Sequence, residues 1–214
     1  MDRDIGLWSE LAPARRAATP ALFLDRDGVV IADTGYVGRV ENLYMLDGVA
    51  AAIARCNALQ IPIVIVTNQS GIARGLYGWD GFHAVQAGVA AYLAAAGAHF
   101  DAVLACAYHG DGVGPLRVGN HPWRKPNPGM ILAAAGAMNL DLARSWIIGD
   151  RPHDLAAGAA AGLHGGTLVA SDQSLQRAAS ALANSRFSVE IAETPAAAIA
   201  AVVDSGRLMP RAGD

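Results

Sequence analysis

Residues 23–28 read FLDRDG, the end of an apolar run, Ala21–Leu24, that passes at once into two carboxylates, Asp25 and Asp27, and a glycine. A short continuous apolar run cut off by a polar turn is the pattern of a strand buried on both faces. A strand that ends in acid has something to hold. The pattern returns down the chain: IPIVIV (61–66) runs into TNQSGIARG (67–75), FDAVLACAY (100–108) into a Gly- and Pro-rich loop from His109 to Pro128, and SWIIGD (145–150) into RPHD, while GTLVA (166–170) makes a further run. Between these runs the spacing turns helical. Val49, Ile53, Cys56 and Leu59 share one face over 47–60, with Asp47 placed to cap or favour the first turn, and Phe82, Val85, Val89, Leu93 and Ala96 share another. Helices are also expected over 129–138 and 153–161.

Alternation of continuous apolar strands with amphipathic helices implies an α/β fold, a doubly wound parallel sheet covered on both faces and joined by right-handed crossovers. Ligands of such sheets bind at the carboxyl ends of the strands. Every chemically loaded stretch lies there. The polar, Pro-punctuated residues 1–18 are expected as an N-terminal extension and 19–214 as the domain, whose tail from Ser171 adds a helix, the strand FSVEI and an Ala-rich helix. No stretch is long enough for a large inserted cap, so loops 29–46 and 107–128 must enclose the site.

At 214 residues and 53% hydrophobic content the chain can build one real core. Acidic side chains number 19 against 16 basic, so no broad basic field exists to hold nucleic acid or an anionic membrane. Any phosphate site must be local. No apolar stretch has the length of a membrane span, and residues 1–20 mix acids, arginines and prolines where a signal peptide would be apolar, which points to a cytoplasmic protein. Cys56 and Cys106 are too few for a disulfide framework. No sustained exposed apolar face is evident, which points to a monomer. Of the 16 basic residues, Lys125 is the only Lys; a functional reason and chance survival both account for it.

In such a sheet Asp25, Asp27 and Asp150 converge, and crowded carboxylates repel unless a cation lies between them. Oxygen-only ligation favours Mg²⁺, which commonly completes its shell with water and a substrate phosphate oxygen. Gly28 lets the backbone turn behind the acids. Thr67 and Asn68 offer neutral donors at the next strand end, and Lys125 a point charge suited to a phosphoryl oxygen. Together these make a phosphoryl-transfer site.

FLDRDGVV, VTNQSGIARG, RKPNPGM and IIGDRPHDL stand in the order and spacing of the haloacid dehalogenase (HAD) superfamily of phosphatases. Over roughly Ala21 to Val169 the sequence resembles its heptose 1,7-bisphosphate branch, which is related to the histidinol-phosphate phosphatases. The resemblance implies Asp25 as nucleophile and Asp27 as general acid and base, the Asp25 carboxylate being ionised at neutral pH and needing no activating base. It implies Mg²⁺ held by the Asp25 carboxylate, the Asp27 backbone carbonyl and Asp150. Thr67 and Lys125 would hold the transferring phosphoryl group, with Asn68, Gln69 and Ser70 nearby. Asp33 to Tyr36 would form a flap over a small-molecule sugar phosphate, and Arg124 would recognise its remote part. Asp154 could orient a metal-bound water or support a helix start. Tyr36 and Trp123 could contact substrate or only pack.

Two departures weaken the heptose assignment. Many of the resembling enzymes carry a structural zinc loop, Cys-x-His and then Cys-x-Cys before RKP; here only Cys106 and His121 are in register, with Tyr108 and Trp123 at other ligand positions and His109 one place out. Structural zinc is therefore not expected, and Trp123 and the prolines are expected to pack the loop. Arg151 stands where Lys is usual, keeping the charge but not its geometry. Alternatives are a histidinol-phosphate or other small phosphate-monoester phosphatase and, from another class, a non-catalytic phosphate-binding protein on the same fold.

Overall fold

A computed structural model describes residues 4–209. In chain order its elements are β1 (Leu7–Leu11), β2 (Leu22–Leu24), α1 (Val49–Ala58), β3 (Ile63–Asn68), α2 (Ser70–Ala73), α3 (Trp79–Ala95), β4 (Ala102–Cys106), α4 (Gly129–Met138), β5 (Trp146–Gly149), α5 (Pro152–Ala161), β6 (Gly165–Val169), α6 (Gln173–Ser180), β7 (Ser188–Ala192) and α7 (Pro195–Asp204). The strands form one sheet in the order β1-β4-β3-β2-β5-β6-β7. All neighbours are parallel except β1 and β4, which run antiparallel.

The acidic strand β2 lies at the centre, paired with β3 on one side and β5 on the other. From it the chain order runs outward through β3 and β4, then restarts at β5 and runs the opposite way. The carboxyl end of β2 is thus at the switch in strand order, where a crevice opens. Its side chains alternate between the layers. Leu22 and Leu24 join the core under α1, α3 and α7, while Phe23 joins the core under α4, α5 and α6. The same alternation divides Ile63 and Ile65 from Val64 and Val66. Burial of both faces explains why these strands read as unbroken apolar runs.

The sequence differs from the structure in three places. Leu7–Leu11, expected within the N-terminal extension, form the edge strand β1, pairing Leu7 with Cys106 and Leu11 with Ala102. The strand is half exposed, so it lacks the continuous apolar signature of the central ones. Asp47 makes no cap to α1, because Gly48, with φ of 75°, occupies the N-cap position and sets Asp47 one residue too early. The single-turn helix α2 follows Gln69 directly within a stretch expected as loop. Among the described residues the loops on either side of α1 and α4 contain only short 3₁₀ turns, such as Val40–Asn42 and Gly114–Leu116, and no inserted domain. No helix among the described residues is long and apolar enough to cross a membrane.

Candidate active site

The chain leaves β2 at Asp25 still in register, its N–H donating to the Ile148 carbonyl at 3.0 Å. It then coils back on itself: the Arg26 carbonyl accepts from Val30 and Ile31 at 2.8 and 3.1 Å. This turn needs Gly28, whose φ is +82° and whose Cβ, if present, would lie 2.6 Å from Asp150 Oδ2. The close approach presses the Asp150 carboxylate against the acidic turn.

Lys125 enters from the loop before α4. Asn68 fixes it by a two-way clasp, its Oδ1 accepting from the Lys125 N–H and its Nδ2 donating to the Lys125 carbonyl, both at 3.1 Å. The ammonium then meets Asp154 Oδ1 at 2.6 Å, Asp25 Oδ1 at 3.0 Å and the Val66 carbonyl at 2.8 Å. Lys125 and Asp154 are buried and Asp25 nearly so. Asp154 also accepts the Arg151 N–H through Oδ2 at 3.0 Å, so one carboxylate closes the start of α5 and anchors the lysine.

Asp27 points the other way. Its oxygens receive Arg26 Nη2 at 3.0 and 3.1 Å and Gln69 Nε2 at 2.8 Å, with Thr67 Oγ1 at 3.5 Å. Gln69 also donates to Thr67 Oγ1 at 2.7 Å and accepts from the Tyr77 hydroxyl at 2.6 Å.

Above these groups lies a cavity of about 300 Å³ lined by Asp25, Asp27, Asp33, Tyr36, Asn68, Gln69, Ser70, Arg124, Asp150 and Arg151, together with Val37, Tyr77 and His153. Of the catalytic, substrate-binding and metal residues expected from the sequence, Asp25, Asp27, Asp33, Tyr36, Asn68, Gln69, Ser70, Arg124, Asp150 and Arg151 line the cavity, and Thr67 and Lys125 are buried beside Asp27 and Asp25; Trp123 and Asp154 are not among the lining residues. Both expected loops enclose it, one through Asp33 to Val37 and the other through Arg124. Tyr36 holds a left-handed φ of 55° after Gly35 and stands half exposed at the rim. Sequence reasoning missed Arg26, Tyr77 and His153, and did not pair Asp154 with Lys125. The only signal for Asp154 was its place one helical turn beyond Asp150.

The acids crowd one another. Carboxylate oxygens of Asp25, Asp150 and Asp154 lie within 4.8 Å of each other. Burial pushes Asp25 up to about 8; Lys125 draws it back, while Asp154, Asp27 and Asp150 raise it further. Burial likewise raises Asp150 to about 6, with Asp154 adding to the rise and Arg151 and Lys125 opposing it. Burial alone would lower Lys125, but Asp154 and Asp25 push it above its ordinary range. In the metal-free protein the expectation of an Asp25 ionised without help therefore meets a cost of burial and like charge. This donor set fits a hard divalent cation: oxygen atoms only, more negative charge than Lys125 can balance, and a glycine keeping the approach clear. Asp154 is the third carboxylate of the cluster, whereas the Asp27 carboxylate is engaged elsewhere.

In the loop beyond β4, Cys106 Sγ lies 4.0 Å from His121 Nδ1. Tyr108 stacks on His121 with centroids 4.3 Å apart and donates its hydroxyl to Asp4 at 2.6 Å, while Arg124 Nη1 donates to the Tyr108 carbonyl. His109 turns toward Arg74 and Asp111 instead. Trp123 packs against the core under α4.

A family model described as haloacid dehalogenase-like hydrolase matches residues 3–162, and a second, HAD-hydrolase-like, matches 122–204. The chain belongs to the haloacid dehalogenase-like hydrolases. This hydrolase is 47% identical over 173 residues to D-glycero-beta-D-manno-heptose-1,7-bisphosphate 7-phosphatase of Mesorhizobium japonicum, covering 80% of each chain. It is 43% identical over 162 residues to the D-glycero-alpha-D-manno-heptose-1,7-bisphosphate 7-phosphatase of Burkholderia mallei, covering 75% of this chain and 85% of the relative. Among solved structures, a HAD-like phosphatase from Mesorhizobium loti superposes with a TM-score of 0.86 at 39% identity, covering 99% of this hydrolase and 98% of its own chain. The D,D-heptose 1,7-bisphosphate phosphatase of B. bronchiseptica, solved with magnesium and phosphate, superposes with a TM-score of 0.74 at 30% identity, covering 87% and 99%.

Proposed function

We propose that this hydrolase is a Mg²⁺-dependent phosphatase of a phosphorylated sugar, D-glycero-D-manno-heptose 1,7-bisphosphate being the substrate and the monophosphate the product. The observation that carries the reading is the Asp25 carboxylate, held 3.0 Å from the buried Lys125 ammonium at the end of the central strand, with Asp27 lining the same cavity. A carboxylate with one oxygen pinned by a fixed cation presents the other for attack.

Asp25 attacks phosphorus, the P–O bond to the sugar breaks, and Asp27 protonates the departing alkoxide. Asp27, now ionised, takes a proton from the water that attacks the aspartyl-phosphate; the P–O bond to Asp25 breaks and inorganic phosphate leaves. Lys125 and the Thr67 hydroxyl meet the charge of the transferring group. Asp25, Asp150 and the Asp27 backbone carbonyl would hold Mg²⁺, with Asp154 supporting the cluster. When bound, the ion supplies positive charge that offsets the crowded carboxylates and the phosphoryl oxygens. Asn68 holds the Lys125 loop in place. Arg124 and Arg151, at the open side of the cavity, suit the remote anionic group of a bisphosphate, with Asp33, Tyr36, Gln69 and Ser70 lining the way. The names of the relatives support the substrate. The reading includes a monomeric cytoplasmic enzyme acting on a small molecule.

The test is phosphate release with Mg²⁺ across both anomers of the heptose bisphosphate, fructose 1,6-bisphosphate, histidinol phosphate and simple monoesters, with Asp25→Asn as control. Preference for a heptose bisphosphate is expected. Preference for histidinol phosphate would keep the mechanism and overturn the substrate, and turnover unaffected by Asp25→Asn would overturn the mechanism.

A further inference from the structure

We propose that Arg26 and Tyr77, acting through Gln69, are positioning residues that hold the Asp27 carboxylate at the phosphoryl site. The proposal rests on the phosphatase reading above, since it gives those residues their effect on a proton-transferring carboxylate.

Arg26 stands between the two acids, where a solvated side chain would be expected, yet it is fully buried and lies over the Phe82 ring at 5.1 Å. A guanidinium has five N–H donors, and a buried structural arginine normally satisfies them. Here Nε and Nη1 have no hydrogen-bond partner. The single nitrogen Nη2 carries the polar contacts: both Asp27 oxygens at 3.0 and 3.1 Å, Gln69 Oε1 at 3.1 Å and the Val37 carbonyl at 3.4 Å. A charge withdrawn from water and spent at one end on Asp27 is an arrangement aimed at that carboxylate.

Gln69 is oriented by its neighbours. Two donors, the Tyr77 hydroxyl and Arg26, face its Oε1; two acceptors, Asp27 Oδ2 and Thr67 Oγ1, face its Nε2. Reversing the amide would set its NH₂ against the Arg26 guanidinium and its oxygen against the Asp27 carboxylate, the two partners whose roles are fixed, whereas the hydroxyls of Tyr77 and Thr67 could turn to suit either orientation. Burial pushes the Tyr77 phenol up to about 12, so it stays a donor. The Tyr77 ring is itself fixed, filling space at Gly38 and Gly71 that a Cβ at either position would occupy. The chain of contacts therefore runs from a wedged ring, through an amide of one orientation, to the carboxylate.

The test compares Tyr77→Phe and Arg26→Met with wild type in the full chain with Mg²⁺, on the sugar phosphate and on p-nitrophenyl phosphate. The sugar alkoxide needs a proton to leave and p-nitrophenolate does not, whereas hydrolysis of the aspartyl-phosphate needs the Asp27 base for both. Arg26→Met should lower kcat on the sugar phosphate about 100-fold and Tyr77→Phe about 10-fold, with KM changed less than about threefold. Both should still release a burst of about one equivalent of p-nitrophenolate before slow turnover. Asp27→Asn should show the same pattern. Unchanged kcat in the folded variants, or loss of the burst together with turnover, would overturn the proposal. If Arg26→Met does not fold, Tyr77→Phe, which removes one oxygen and keeps the ring, decides alone. Failure of the underlying reading looks different: wild type would then release no Asp25-dependent phosphate from either compound, and the proposal would fall with it.

Discussion

On one flank of Asp25, Lys125 and Asp154 have 1% and 0% of their side chains exposed and are linked at 2.6 Å. On the other, Asp150, Arg151 and Asp33 are joined at 3.2 and 4.0 Å, with 18%, 50% and 43% exposed. The dry flank cannot lose a member without leaving a buried charge uncompensated, whereas water screens the wet flank and fills in for a missing partner. Fixed charge around the phosphorus belongs on the dry side. Recognition of a variable sugar belongs on the wet one.

The sharpest break in this comparison is Asp25→Asn. Turnover should fall by a factor on the order of 10⁴ or more, as expected for loss of a nucleophile, while the melting temperature holds or rises because one crowded carboxylate is gone. A large drop in melting temperature would mean that the dry flank needs the Asp25 charge for folding. Next comes Lys125→Met, which should lower kcat by about 10³ and also cost ~3–5 kcal/mol in urea unfolding, since it leaves two buried acids unpaired. Stability equal to wild type would show that the flank is not dry in solution.

A smaller effect follows from the acids themselves. Both Asp25, at about 8, and Asp150, at about 6, lie above the ordinary carboxylate value of 3.8. A carboxyl raised on folding stabilises below its unfolded value, and that contribution is lost as pH rises through the folded value. The metal-free protein should therefore lose stability through both acids from about pH 4 to 6 and through Asp25 alone from there to about 8. Added Mg²⁺ should raise the melting temperature more at about pH 8 than at about pH 5, because the ion binds the ionised carboxylates. Equal shifts at both values would argue against crowding. The smallest change is Arg151→Lys on the wet flank, which keeps the charge but loses the fork: KM should rise about 3- to 10-fold with stability within about 0.5 kcal/mol. A loss of stability as large as that of Lys125→Met would erase the distinction between the flanks.

Much of this was legible in the sequence, for a physical reason. Strands buried on both faces must be apolar at every position, and in a parallel sheet their carboxyl ends gather on one edge, so FLDRDG, IVIVTN and WIIGD announced both the sheet and the position of the acids. Helix α4 was read to its ends, Gly129 and Met138. Strand β1 was not legible, because an edge strand with one open side mixes Leu7, Trp8, Ser9 and Glu10 and resembles any polar lead. Nor were the partnerships of Arg26 with Asp27 or of Asp154 with Lys125. Spacing gives the face and the end of an element, but the direction in which a long side chain settles depends on neighbours brought in from elsewhere in the fold: Tyr77 from beyond α2, Val66 from β3, Phe82 from α3.

The isolation of Lys125 has a practical consequence. It is the only lysine in the chain and its side chain is 1% exposed. Acylating reagents therefore have a single lysine to find, and they can reach it only when the floor of the cavity opens. The rate at which that one side-chain amine becomes modified is a footprint of local opening at the catalytic centre, readable by mass on the peptide that carries Lys125, and ligands that close the site should slow it.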